Sequence, residues 1–125
     1  MKNSVLLIED DAFIKQMYCT KIEELGVSVC TASNEDEVKE SLAKNKVDLI
    51  LLDLVLPNTS GFDILQGFKK NIKLKDIPVI VLSNLSSQAD INQAFELGVV
   101  DYIVKSNYTP AEVMRTIQKY LPNNS

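Results

Sequence analysis

Short aliphatic runs alternate with helix-length stretches five times along this chain, and that alternation limits the possible folds more than any other feature. The runs Val5-Leu6-Leu7-Ile8, Leu49-Ile50-Leu51-Leu52 and Pro78-Val79-Ile80-Val81-Leu82 are unbroken and aliphatic. The intervening segments carry helical signals instead. Ile14, Tyr18, Ile22 and Leu25 recur at steps of 4, 4 and 3, which predicts a helix over 12–25 that Gly26 ends. Strands are expected at 4–8, 27–31, 48–53, 78–82 and 100–104. Ser33 or Asn34 would cap a helix reaching residue 45. Ser60 with Asp63 resembles a capping pair, and Ser87 with Asp90 would cap a helix ending at Gly98. Thr109-Pro110-Ala111-Glu112 is the strongest helix start: a cap, proline at the first helical position, and a glutamate to close the box.

Strand–helix alternation implies a parallel sheet with helices on both faces. The first, third and fourth runs are apolar throughout, as central strands buried on both sides require. The second strand carries Ser28 and Thr31 and the fifth carries Asp101, so those two read as edges. The order 2-1-3-4-5 satisfies both conditions. It is the flavodoxin-like α/β arrangement of five strands and five helices, with its ligand crevice between strands one and three.

At 125 residues the chain is expected to form one domain over 1–125, with a core that needs no staples. The net charge of −4 argues against direct binding to a nucleic-acid backbone. No apolar run reaches the roughly 20 residues of a membrane helix, and the N-terminus lacks the features of a signal peptide, so a cytoplasmic location is expected. Cys19 and Cys30 are not spaced as a redox or metal pair and read as reduced thiols. The absence of histidine excludes His-based zinc sites, histidine general bases and a phosphohistidine carrier role.

What remains is oxygen chemistry at carboxylates. Glu9, Asp10 and Asp11 follow the first strand and Asp53 ends the third, so a parallel sheet gathers them at one edge. Clustered carboxylates repel and resist desolvation. A divalent cation, or a chemical task for one acid, gives such a cluster a reason. Magnesium takes oxygen ligands, and a carboxylate that attacks a phosphoryl group gives an acyl phosphate. Ser83 after the fourth strand, with Tyr102 in and Lys105 at the end of the fifth, would complete the edge. Each of these residues alone is an ordinary turn, packing or solvated residue, and only the combination is specific.

Leu7 through Asp11, Asp48 through Gly61, Pro78 through Ser83, and Gly98 through Lys105 together resemble the receiver domain of bacterial two-component response regulators. Ser83 follows Asp53 by 30 residues and Lys105 follows it by 52, the family's usual spacing. The resemblance covers residues 3–121. It implies that Asp53 accepts a phosphoryl group from a sensor histidine kinase or phosphotransfer protein. It also implies that Mg2+ is held by Asp10, Asp53 and the main-chain carbonyl of Val55, with Glu9 acting through a water. Lys105 resembles the lysine that pairs with phosphoryl oxygens. Ser83 resembles the switch hydroxyl and Tyr102 the switch aromatic that turns inward with it. Their movement would reshape the face of helix four, strand five and helix five, which contacts a downstream protein or output domain. The same face offers a route to a phosphorylation-dependent dimer, in which Glu96, Asp101, Arg115 and Lys119 could take part, although surface charges such as these are usually just solvated. The domain would catalyse only its own phosphorylation and dephosphorylation. Asp11 is an extra acid to which the resemblance assigns no role.

Two details are particular to this chain. The family commonly has proline, often in a cis bond, where Ser106 follows Lys105. A cis bond before any other residue costs about 2.5–4 kcal/mol, so a trans bond and an altered loop are expected. Val55 and Leu85 lie two positions after Asp53 and Ser83, and neither side chain can hydrogen-bond an attacking water. Slow self-dephosphorylation is therefore expected. The competing readings are weaker. A flavin carrier needs a phosphate-cradling loop where this chain has three acids. A dehalogenase-type phosphatase needs an aspartate where Val55 stands. A docking module that is never phosphorylated would have no use for the acceptor-site residues. The stretch 106–114 resembles that of stand-alone receivers, the expected organisation here, with 122–125 as a natural end or the start of a cut linker.

Overall fold

The computed structural model describes residues 2–122; Met1 and residues 123–125, the two ends of the expected 1–125 domain, lie outside them. The elements are β1 (Ser4–Ile8), α1 (Ala12–Glu24), β2 (Ser28–Ala32), α2 (Glu35–Lys44), β3 (Leu49–Leu52), α3 (Gly61–Lys70), β4 (Val79–Ser83), α4 (Gln88–Glu96), β5 (Asp101–Val104) and α5 (Pro110–Tyr120). A single 3-10 turn, Lys105–Asn107, separates β5 from α5. The five strands are parallel in the order β2-β1-β3-β4-β5, as the apolar patterning predicts.

The alternation of side chains along each strand builds two cores. Leu6, Ile8, Ile50, Leu52, Val79, Val81 and Tyr102 face the layer that carries α2, α3 and α4. Val5, Leu7, Leu49, Leu51, Ile80, Leu82 and Ile103 face α1 and α5, where they meet Tyr18, Ile22, Val113 and Ile117. Every residue of β1 after Ser4, and all of β3 and β4, is buried. At about 25 cal/mol per Å² of apolar area removed from water, these two layers are the main stabilising term.

Several boundaries differ from expectation by a residue or two. β2 runs from Ser28 to Ala32 rather than over 27–31, and β3 stops at Leu52, which leaves Asp53 just beyond the ladder. α1 ends at Glu24, with Gly26 at φ +80° turning the chain into β2. Asn34, not Ser33, caps α2 by accepting from the Glu37 amide at 2.9 Å; the Glu37 carboxylate in turn takes the Ser33 amide at 2.7 Å. The Ser60–Asp63 pair forms only in half: Ser60 Oγ accepts from the Phe62 amide at 3.1 Å, while the Asp63 carboxylate makes no return bond to the Ser60 amide among the described residues. At α5 both arms of the capping box are present, 2.9 Å from the Thr109 amide to Glu112 and 3.2 Å from the Glu112 amide to Thr109.

Candidate functional site

The sheet register delivers the acids to one place. Ile8 pairs with Leu52, so the residues after β1 and β3 emerge side by side. The Asp53 amide donates to the Ile8 carbonyl at 3.0 Å, and the Glu9 amide donates to the Ala32 carbonyl at 3.0 Å. Carboxylate oxygens of Glu9, Asp10 and Asp53 all lie within 4.8 Å of one another. Glu9 and Asp53 are buried, whereas Asp10 is exposed at the mouth of the group.

Lys105 reaches the same point from the end of β5. Its ammonium lies 2.9 Å from Asp53 Oδ2 and also donates to Glu9 Oε1. The other Asp53 oxygen accepts from the Val55 amide at 3.0 Å. One ammonium therefore serves two buried carboxylates. Burial pushes the Glu9 carboxyl above the usual range, despite its hydrogen bonds from Lys105 and the Asp11 amide. Burial alone would lower the Lys105 ammonium, but hydrogen bonds and the charges of Glu9 and Asp53 outweigh it and hold Lys105 above the ordinary lysine value.

A close approach of backbone positions Asp53 from the other side. A Cβ on Gly61 would come within 2.5 Å of Leu54 Cα and 2.9 Å of the Asp53 carbonyl oxygen. The Gly61 amide donates to the Leu54 carbonyl at 3.0 Å, so the start of α3 presses directly on the segment that follows β3. Nothing local in the sequence marks the need for glycine at position 61, because a tertiary contact imposes it.

The remaining predicted residues surround this group without all joining it. Ser83 is fully buried at the end of β4, with its hydroxyl accepting from the Leu85 amide at 3.4 Å. Tyr102 is buried in the α2–α4 layer, and its hydroxyl donates to the Leu85 carbonyl at 2.6 Å. Burial raises its pKa, with the charges of Asp90 and Asp53 adding to the effect. The Val55 side chain is exposed, while its main chain forms an isolated antiparallel bridge with Ser60. Asp11 finds its role as the N-cap of α1, accepting from the Ile14 amide at 2.9 Å. No peptide bond is cis among the described residues, and the 3-10 turn occupies the expected altered loop after β5.

The model of the response regulator receiver domain family matches residues 5–118. The chain belongs to the response regulator receiver domain family. It is 33% identical over 118 residues to the phosphate regulon transcriptional regulatory protein PhoB of Escherichia coli (strain K12), covering 94% of this chain and 51% of PhoB. This receiver therefore spans about half the length of that relative. Its fold superposes on the chemotaxis protein CheY4 of Vibrio cholerae with a TM-score of 0.89 at 24% identity, covering 97% of this chain and 100% of the other. The BeF3-activated N-terminal receiver domain of RstA from Klebsiella pneumoniae superposes with a TM-score of 0.87 at 25% identity, again covering 97% and 100%. Receiver domains are signalling domains rather than enzymes in the ordinary sense. No helix of this receiver is long and apolar enough to cross a membrane among the described residues.

Proposed function

We propose that this receiver accepts a phosphoryl group on Asp53 from a phosphohistidine of a sensor histidine kinase or phosphotransfer protein, in the cytoplasm and with Mg2+ at the acidic group. The observation that carries the reading is the contact of Asp53 with Lys105 inside a group of three convergent carboxylates. A buried acid beside a lysine is explained by an ion pair. Two further carboxylates on the same spot, one of them exposed and without a partner cation among the described residues, add repulsion that the fold does not require.

The donor set fits a hard cation. Glu9, Asp10 and Asp53 supply oxygen atoms, and the main-chain carbonyl of Val55 is the further ligand the reading assigns. When bound, Mg2+ would neutralise the carboxylates and the oxygens of the transferring group. An Asp53 carboxylate oxygen forms the new bond to phosphorus, the bond from phosphorus to the donor nitrogen breaks, and the electron pair stays on that nitrogen. Lys105 pairs with the phosphoryl oxygens as its contact with Asp53 Oδ2 is given up. The new group adds charge and acceptor oxygens at the sheet edge.

Ser83 and Tyr102 transmit the change. The Ser83 hydroxyl accepts a long bond from the Leu85 amide, 3.4 Å, which leaves its own proton to donate to a phosphoryl oxygen. Moving the Ser83–Leu85 segment also moves the carbonyl to which the Tyr102 hydroxyl is bound. The aromatic ring already lies inward here, so the change acts on its anchor and through it on the α4-β5-α5 face. That face then engages a downstream protein or output domain, or a second copy of the receiver.

Intact mass after incubation with acetyl phosphate and Mg2+ tests the reading, since a small donor replaces the kinase. One phosphoryl group is expected on the native chain and none on Asp53→Ala or without metal. A native chain that gains nothing would contradict the reading.

A further inference from the structure

The 3-10 turn after β5 begins with an unmet need. Its N-terminal flank is Val104, whose side chain has no oxygen with which to cap the free amides of the turn. The Ser106 amide is satisfied from a different loop: it donates to Asn84 Oδ1 at 3.0 Å. A proline at position 106 would have no proton to give. The serine that departs from the common family pattern is thus the residue that permits this bond.

Asn84 stands between two residues of the proposed switch. Ser83 precedes it, and Leu85, which follows it, accepts the Tyr102 hydroxyl through its carbonyl at 2.6 Å. The β4–α4 loop is therefore tied to residue 102 on one side of Lys105 and to residue 106 on the other. Within the sheet Ser83 pairs with Val104, the residue before Lys105. The loop that carries the hydroxyl and the loop that carries the ammonium are held together at three successive levels.

We propose that Asn84 is a positioning residue, which locks the Ser83 loop to the Lys105 loop so that hydroxyl and ammonium are presented to Asp53 as one unit. The inference rests on the reading of Asp53 as the phosphoryl acceptor. Removing the Asn84 oxygen leaves the Lys105 main chain tethered to the β4–α4 loop only from the β5 side and frees the start of the turn. The acidic group keeps all its oxygens, so cation affinity is unaffected while the alignment of Ser83 and Lys105 is loosened at one of its three ties.

Asn84→Ala, Ser106→Ala and the native chain are compared by phosphorylation kinetics with acetyl phosphate, by Mg2+ titration, and by hydrogen exchange of the Ser106 amide. Asn84→Ala should lower the maximal phosphorylation rate about two- to tenfold, the range expected for one hydrogen bond. Its Mg2+ affinity and half-saturating donor concentration should stay native, and its Ser106 amide should lose exchange protection. Ser106→Ala keeps the main-chain N–H and should match the native chain throughout. A native rate in Asn84→Ala, or a slowed rate with the Ser106 amide still protected, overturns the proposal. If the native chain takes up no phosphoryl group, the acceptor reading fails and the positioning role falls with it. Protection of the Ser106 amide still reports the tether by itself, which separates the two failures.

Discussion

Lys105 Nζ lies 2.9 Å from Asp53 Oδ2, and the same ammonium donates to Glu9, so the lysine is shared between two buried acids. The Val55 amide holds the other oxygen of Asp53 at 3.0 Å. The carboxylate is thereby fixed at both oxygens, one of them by a cation that a phosphoryl group would draw away.

The shared lysine sets an alkaline limit on stability. Its pKa is raised in the folded chain, so its contribution is fully present below the ordinary lysine value of 10.5 and is lost as pH rises through the folded value. Lys105→Met should lose about 1–3 kcal/mol at neutral pH in metal-free buffer, because two carboxylates are left without their cation. The gap to the native chain should close above pH 10.5. Chemical denaturation of both proteins across that range checks this, and a gap that stays constant with pH would contradict it.

Asp10 and Asp11 are adjacent acids with opposite effects. Asp11 caps α1, so Asp11→Ala should cost about 1 kcal/mol while leaving Mg2+-dependent phosphorylation in place. Asp10 has no cationic partner among the described residues and faces two other carboxylates. Asp10→Asn should leave metal-free stability equal or up to about 1 kcal/mol higher, and should abolish the thermal shift produced by Mg2+. Thermal melts with and without Mg2+ distinguish the two.

Gly61→Ala tests the backbone seat of the acceptor. The added methyl would sit 2.5 Å from Leu54 Cα, a contact that only main-chain movement relieves. A loss of about 1–3 kcal/mol is expected, together with slower phosphorylation, because the displaced segment includes Asp53. Gly67→Ala is the control, since its Cβ would meet nothing within 4 Å. Equal behaviour of the two variants would refute the close-packing argument.

With Asp53 as the acceptor, Val55 and Leu85 are expected to set the signal lifetime. Neither can orient a water toward a phosphoryl group on Asp53, and Leu85 is packed against the core. The combined Val55→Asn and Leu85→Glu variant should therefore lose its phosphoryl group faster than the native chain. The decay of phosphorylated protein after donor removal measures this, and an unchanged decay would count against the role of these side chains.

The strand order was legible because the strands divide by composition. Buried central strands must be apolar on both faces, and Ser28, Thr31 and Asp101 mark the edges. The acidic group followed from that order, since parallel strands place Glu9, Asp10 and Asp53 at one edge whatever the loops do. The helix starts at Thr109, Ser87 and Asn34 were readable because capping is local chemistry. What stayed hidden depends on distant partners. Gly61 answers to the backbone of Leu54, and Asn84 answers to an amide 22 residues away. Asp11 had a local role as a cap that its place in an acidic run obscured. The inward seat of Tyr102 depends on the Leu85 carbonyl and has no sequence signal.

Borohydride reduction of the phosphorylated receiver, followed by peptide mass spectrometry, locates the phosphoryl group to a single residue. An aspartyl phosphate is reduced to homoserine, which marks the acceptor within the sequence. Homoserine is expected at position 53, formed only when Mg2+ and the phosphoryl donor are both present. Reduction at Glu9, Asp10 or Asp11 instead, or labelling that persists in Asp53→Ala, would contradict Asp53 as the acceptor.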